Sequence, residues 1–306
     1  MKTHHRNHFR GRGWLEVQTH QKRLRWQPTQ EWYDLWGNQQ AQDELLRFFD
    51  HFLQGKPNGW ESTPKVPMAV WRFGEKSPEA NVVEQEFLLA RTDYKRLYLT
   101  SESRLSIQIP DTAASLSYES TSTASSITFN HTFTDPTRLV GLPKAVLYMS
   151  CADLDDMDVY ILLRKLDESG QPVFNLNIPW SDNLPVNTIA DIPEKERTEV
   201  ILYAGPAGIL RASHRAIDES RSMHPHWPFL PHEREDRVTP GTVVRLDIGI
   251  WAMGIEDEAG ESLQVEISGH IMGVNNFGTN KHSLNKGRHV VHFGGEHASH
   301  VILPFV

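Results

Sequence analysis

The stretch from Asp43 to Trp60, DELLRFFDHFLQGKPNGW, decides how the rest of the chain is read. Leu45, Phe48, Phe49, Phe52 and Leu53 recur at the three- and four-residue spacing of one helix face, and Gly55 followed by Pro57 closes the pattern. The segment before it is dense in tryptophan, with Trp14, Trp26, Trp32 and Trp36. There Trp14–Val17 reads as the end of a strand and Glu31–Trp36 as a tight aromatic connection into the helix. Beyond Lys65 the period changes to two. Val66–Phe73 is the first strand candidate, with Pro67 tolerated only at a strand start or edge. Further strands are expected near Arg96–Leu99, Ser115–Tyr118, Ser126–Phe133, Lys144–Ser150 and Asp158–Leu166. The same pattern returns near Val200–Tyr203, Thr242–Ile250, Ser262–Ser268, Arg288–Phe293 and Ser299–Phe305.

Polar turns such as Asp167–Gly170, Thr239–Gly241 and Glu258–Gly260 separate these runs. Many short strands without alternating helices argue for a mainly β protein, a jelly-roll sandwich and not a parallel sheet. The expected division is residues 1–60, a short helical element, and residues 61–306, the β domain. Trp180–Glu199 and Ser220–Asp236 are long, polar and rich in Pro or His, and are expected as loops laid over the sandwich.

Composition narrows the function classes. Hydrophobic residues at 39% and charged residues at 23% are ordinary for a globular chain of 306 residues, which is long enough for a sizeable core. A net charge of -8, with no basic stripe, excludes nucleic acid as the expected partner. Cys151 is the only cysteine, so there is no internal disulfide and no Cys-rich zinc site. A lone thiol fits a reducing compartment, and the cytoplasm is the expected location. The longest apolar runs are strand-sized, so no membrane span is expected. The N-terminus, MKTHHRNHFRGRGWLEV, is basic but has no apolar h-region, which argues against a secretory signal. It also lacks the Ser-rich stretch of a transit peptide. Without a signal, Asn130-His131-Thr132 reads as a chance match to the glycosylation triplet.

Few residues invite a chemical reading. No G-x-S-x-G occurs, so the serine elbow of an α/β-hydrolase is missing. Cys151 ends an apolar strand, where a lone cysteine is usually a small buried hydrophobe. The run Asp153–Asp158 opens like a calcium loop but lacks the Gly at its sixth position and the closing Glu at its twelfth. The histidines His282, His289, His292, His297 and His300 suggest a metal. However, His289 and His292 differ by an odd number and so face opposite sides of a strand. His214, His224, His226 and His232 lie in or beside the expected surface loop, and His51 lies beside Phe52 in the helix. On this reading no residue is assigned as catalytic, cofactor-binding or metal-ligating, and no cofactor is expected.

Five stretches, taken together and in order, resemble the CocE/NonD serine hydrolases, which include X-Pro dipeptidyl-peptidases and cocaine-esterase-like acyl esterases. They are Leu45–Trp60, Asp158–Gly170, Gly208–His214, Pro240–Gly269 and Gly294–Pro304. The resemblance implies an α/β-hydrolase domain followed by a galactose-binding-like jelly roll, with the helix at Leu45–Leu53 as the last helix of the first domain. It also implies a triad in the chain order Ser, Asp or Glu, His, whose serine and acid would lie upstream of residue 1. Glu31, in LRWQPTQEW, stands where the family places its histidine, and His20 in GWLEVQTHQK is a second candidate for the base. A free carboxylate titrates far from the near-neutral range that suits a proton shuttle, so Glu31 does not fill the role.

The expectation is therefore the C-terminal portion of a serine hydrolase, without nucleophile or acid and inactive alone. The apolar helix face would be left for a hydrolase domain or a second copy. The alternative is a non-catalytic β-sandwich module for interaction, assembly or carbohydrate binding, with Trp180 and Trp227 available to stack on a sugar.

Overall fold

A computed structural model describes residues 22–29, 31–74, 76–177, 188–198, 201–274 and 283–306. Two helices come first, α1 (Glu31–Trp36) and α2 (Gln39–Gln54). α2 starts four residues before Asp43 because Asn38 caps it: Asn38 is extended, with φ -107° and ψ 98°, and its side-chain oxygen accepts the Ala41 N–H. At the other end Gly55 turns left-handed at φ 64°, so its N–H returns to His51 C=O while Lys56 N–H returns to Asp50 C=O. α1 is a helical turn where only an aromatic connection was expected.

The strands follow in chain order. β1 (Val66–Val70) and β2 (Glu79–Glu84) form an antiparallel ribbon. Next come β3 (Asp93–Leu99), β4 (Leu105–Ser106), β5 (Ala114–Glu119), β6 (Ser126–Thr132), β7 (Thr137–Gly141) and β8 (Lys144–Cys151). They are followed by β9 (Asp158–Leu166), β10 (Pro172–Val173), β11 (Asn175–Leu176), β12 (Leu202–Tyr203) and β13 (Ala207–Arg211). The last are β14 (Val244–Gly249), β15 (Met253–Asp257), β16 (Ser262–Ser268), β17 (Arg288–Phe293) and β18 (His300–Phe305).

β8 organises the larger sheet. It pairs with β14 on one side, and with both β17 and β18 on the other. β7 and β15 pair with each other as β8 and β14 do, β5 flanks β17, and β3 flanks β18. The smaller sheet runs β6, β16, β9, with β10 and β13 on the remaining side of β9. All pairings between these strands are antiparallel, and the two sheets pack face to face as a sandwich.

Alternate residues from each sheet build one core. Leu147, Met149, Leu246, Ile248, Val291 and Val301 come from the larger sheet, and Phe129, Ile161, Leu163, Val265 and Ile267 from the smaller. Phe129 and Phe293 meet edge to face across it at 5.6 Å.

β2, β7, β13 and β15 were not foreseen, for separate reasons. β2, EANVVE, has both faces partly exposed and so no apolar alternation. β7 is five residues long and lies close to Pro143. β13 contains Gly208, where an added Cβ would meet the Gly249 carbonyl oxygen at 2.8 Å. β15 begins at Met253, just past Ile250, where the strand expected at Thr242–Ile250 stops.

A second, smaller cluster joins the N-terminal segment to the sandwich: Leu24 and Trp26 pack with Met68, Phe87, Val140 and Leu142. Trp26 bridges Met68 in the parallel sense, with Trp26 N–H to Pro67 C=O at 3.0 Å and Ala69 N–H to Trp26 C=O at 2.8 Å. Among the described residues no helix is long and apolar enough to cross a membrane.

Candidate functional site

The segment that joins α2 to the sandwich is built from polar contacts. The Arg25 guanidinium forks onto the Glu44 carboxylate, with Nε to Oε1 at 2.8 Å, and its Nη1 donates to Asn81 Oδ1 at 2.8 Å. Arg47 donates to Thr63 Oγ1 at 2.7 Å, and Asn58 Nδ2 donates to the Arg47 carbonyl at 2.7 Å. Trp60 is buried under the helix, with Phe48 at 5.3 Å and Phe52 at 6.4 Å from its ring. The rest of the apolar face of α2 stays open. None of its residues is buried, and Leu46 and Leu53 are 60% and 76% exposed, beside Trp36 at 82% on α1. The helix therefore turns its apolar face away from the sandwich. Full burial of each such Leu or Phe is worth about 1.5–3 kcal/mol, so this surface rewards a partner.

The stretches that carry the family resemblance do structural work inside the sandwich. Arg211 forks onto Asp158 at 2.6 and 2.9 Å, which raises the guanidinium pKa further. Ser213 donates from its N–H and Oγ to the buried Asp156 carboxylate at 2.9 and 2.7 Å. Asn285 accepts the Asp158 N–H at 2.7 Å and donates to the Asp158 and Gly269 carbonyls, both at 2.9 Å. Asp153 accepts the Arg288 N–H at 3.1 Å. The acidic run is thus spent on its own fold, and among the described residues no group of three or more His, Cys, Asp or Glu could hold a metal ion.

The histidines act as packing residues. His289 points inward, where its Nδ1 meets the Tyr118 hydroxyl at 3.1 Å. Burial drives its pKa down to about 4, against the pull of Asp158, Glu119 and Asp156. His292 points outward and bonds Ser150 Oγ at 2.9 Å. The two rings lie on opposite faces, as their odd spacing requires. His224 and His226 stack on Tyr94 at 5.4 and 4.1 Å. Burial lowers both, and the nearby Lys144 lowers them further; His226 falls to about 4. His300 packs on Tyr98 at 5.1 Å, His297 on Tyr148 at 5.2 Å, and His214 on His232 at 5.1 Å. His51 meets Phe52 edge to face at 4.7 Å.

The remaining candidates fall out quickly. Cys151 is buried with its Sγ against the Lys286 carbonyl. Glu31 is the first residue of α1, and its side chain is outside the described set; His20, Trp180 and His282 also lie outside the described residues. Trp227 packs on Trp251 at 5.3 Å and close over Gly249, so it anchors its loop to the sheet.

One cluster escaped the sequence reading. Lys165, on β9, is 1% exposed, and Asp257, at the end of β15, is 0% exposed. Lys165 Nζ donates to Arg72 C=O at 2.9 Å and Glu256 C=O at 2.6 Å, and contacts Glu261 Oε2 at 2.6 Å. Asp257 Oδ1 lies 4.0 Å from Nζ, and neither Asp257 oxygen has a hydrogen-bond partner. Burial pushes the Asp257 carboxyl up to about 7, with Lys165 pulling it down and Glu261 and Glu256 pushing it further up. Burial also works to raise Glu261, but the Glu258 N–H and Lys165 outweigh it and hold that carboxyl below its usual range. A cleft of about 450 Å³, lined by Arg72, Lys76, Asp167, Glu168 and Glu261, opens beside the cluster. The sequence signal was parity: Lys165 shares the inward face of Ile161 and Leu163, and Asp257 that of Met253 and Ile255.

Comparison with known proteins adds an outer frame. Residues 58–302 match the model of the X-Pro dipeptidyl-peptidase C-terminal non-catalytic domain. A CocE/NonD family hydrolase from Staphylococcus aureus is similar in structure, 26% identical with a TM-score of 0.82, over 96% of this chain and 51% of that one. An aminopeptidase from the marine sediment archaeon Thaumarchaeota archaeon is 15% identical with a TM-score of 0.56, over 89% of this chain and 45% of that one. An α-amino acid ester hydrolase is 16% identical with a TM-score of 0.56, over 88% and 45%. At those two lower identities the likeness shows the fold alone. The chain spans about half the length of these solved proteins. A search of curated protein sequences finds no match.

Proposed function

This chain belongs to the X-Pro dipeptidyl-peptidase C-terminal non-catalytic domain family, and on that premise we propose that it is the supporting half of a CocE/NonD-type serine hydrolase, whose nucleophile-bearing α/β domain packs on the apolar face of α2. The observation that carries this reading is the orientation of α2, polar toward the sandwich and apolar toward the outside. The helix ends just before the matched region, which begins at residue 58. The length of the similar S. aureus hydrolase, of which this chain covers 51%, supports a second half of comparable size as the occupant. In this reading residues 1–60 close the α/β domain and residues 61–306 form the jelly roll.

The parent enzyme would cleave an ester or an X-Pro amide through an acyl-serine, with serine and acid supplied by the other domain. We place it in the cytoplasm, where a lone thiol such as Cys151 is ordinary; cell fractionation tests that placement.

The direct test uses residues 1–306 alone. The chain should hydrolyse neither a p-nitrophenyl ester nor a Gly-Pro chromogenic amide, should resist a fluorophosphonate probe, and should bind a hydrophobic dye at α2. Leu46→Glu should abolish the dye signal. Serine labelling of the folded chain, or a monodisperse monomer that binds no dye, would overturn the reading. A dimer that hides the dye site and is split by Leu46→Glu would assign the face to a second copy instead.

A further inference from the structure

We propose that Lys165 and Asp257 join in an intramolecular isopeptide bond that clips the two sheets of the sandwich together, with Glu261 as the proton carrier. Lys165 stands on β9 of the smaller sheet and Asp257 on β15 of the larger, and both are shut off from solvent. A plain buried ion pair would hold the carboxylate in direct hydrogen bonds to the ammonium, because an unpaired buried charge is costly. Here Glu261 takes that place against the ammonium, and Asp257 is a second buried carboxyl left over beside the pair. Nζ spends its donors on Arg72 C=O, Glu256 C=O and Glu261, while the Asp257 carboxyl waits at 4.0 Å with both oxygens unpartnered. The Glu256 carbonyl belongs to the residue next to Asp257, so that bond pins the amine beside the group it would attack.

Each reactant is present and needs no cofactor. Glu261, 2.6 Å from Nζ and held below its usual range, takes a proton from the ammonium only in passing, which exposes the amine to the neighbouring carboxyl. Burial pushes the Asp257 carboxyl up to about 7, so near neutral pH a substantial share of it is the neutral acid, whose carbon an amine can attack, whereas a carboxylate would repel it. Nζ attacks Asp257 Cγ and the N–C bond forms. Glu261 gives its proton to the departing hydroxyl and takes the surplus proton from nitrogen. The Cγ–OH bond breaks and one water leaves. Nothing is oxidised or reduced, and Glu261 ends with one proton, which the cleft it lines returns to solvent. The product replaces an ammonium and an orphaned carboxyl by a neutral amide, and it closes a covalent loop between residues 165 and 257 that constrains the unfolded chain.

The intact mass of the folded 306-residue chain, read after denaturation, decides the matter. The wild-type protein should be lighter than its sequence by one water, and its digest should contain a branched peptide carrying Lys165 and Asp257. Lys165→Arg should restore the full mass, Asp257→Asn should lose ammonia in place of water, and Glu261→Gln should leave most of the protein unlinked. A wild-type mass equal to the sequence mass would refute the bond, and this reading depends on no variant folding. A water loss that persists in Lys165→Arg would also refute it, by locating the dehydration elsewhere.

Discussion

Two regions of this chain carry equally clear apolar periodicity and meet opposite fates. In β8 and β9, every second residue, such as Leu147, Met149, Ile161 and Leu163, disappears into the space between two sheets. In α2, Leu45, Leu46, Phe49, Phe52 and Leu53 keep helical spacing just as strictly and remain exposed. The pattern in a sequence states which residues gain by burial. It does not state whether the surface that buries them lies within the same stretch of chain. The sandwich closes on itself because each sheet supplies the other's cover, whereas α2 has its polar side tied down by Arg25–Glu44 and Arg47–Thr63 and must look elsewhere for its apolar partner.

The contrast can be broken by mutation. The largest effect should come from Phe129→Ala, which empties a fully buried site against Phe293 and should cost about 3–5 kcal/mol in urea unfolding. A loss below about 1 kcal/mol would mean that the two sheets do not share one core. The next effect follows pH. Folded His289 titrates at about 4 and its unfolded form at the ordinary 6.5, so the unfolded chain holds more protons between those values. The stability owed to neutral His289 is complete above about pH 6.5 and drains as pH falls to 4. Over that window wild type should lose on the order of 2–4 kcal/mol more than His289→Gln. Equal slopes for the two proteins would show that the ring is not held neutral in the core.

A smaller loss, about 1 kcal/mol, is expected when Asn38→Ala removes the cap of α2; fraying seen by amide exchange should be confined to its first turns. The smallest belongs to the outward face. Leu53→Ser should change stability by less than about 0.5 kcal/mol while lowering dye binding. A loss of several kcal/mol there would show that α2 is packed in solution after all.

Much of the fold was legible because strand alternation is local. The runs at Lys144–Ser150, Asp158–Leu166, Ser262–Ser268 and Arg288–Phe293 appear as β8, β9, β16 and β17 nearly residue for residue. Among the strands that escaped were β2 and β13, whose residues pair with a neighbour's backbone, β1 in one case and β9 in the other. Glu31–Trp36 escaped for the opposite reason: six residues are too few for a helical period to show. The lack of a G-x-S-x-G motif could be read directly, since it concerns only neighbouring residues.

The Lys165–Asp257 cluster was half legible. Parity put both residues inside their strands, but nothing in the sequence says that inward faces 92 positions apart meet.

By itself, then, the sequence determined a helix with one apolar face, a β domain after it, and the lack of a serine elbow, because each is a matter of spacing between near neighbours. Only the tertiary structure decided that α2 faces outward, that the motif residues Asp156, Asp158, Arg211 and Ser213 are spent on one another, and that a lysine and an acid meet inside the core. Those are contacts between distant parts of the chain, and their energies exist only once the two sheets have come together.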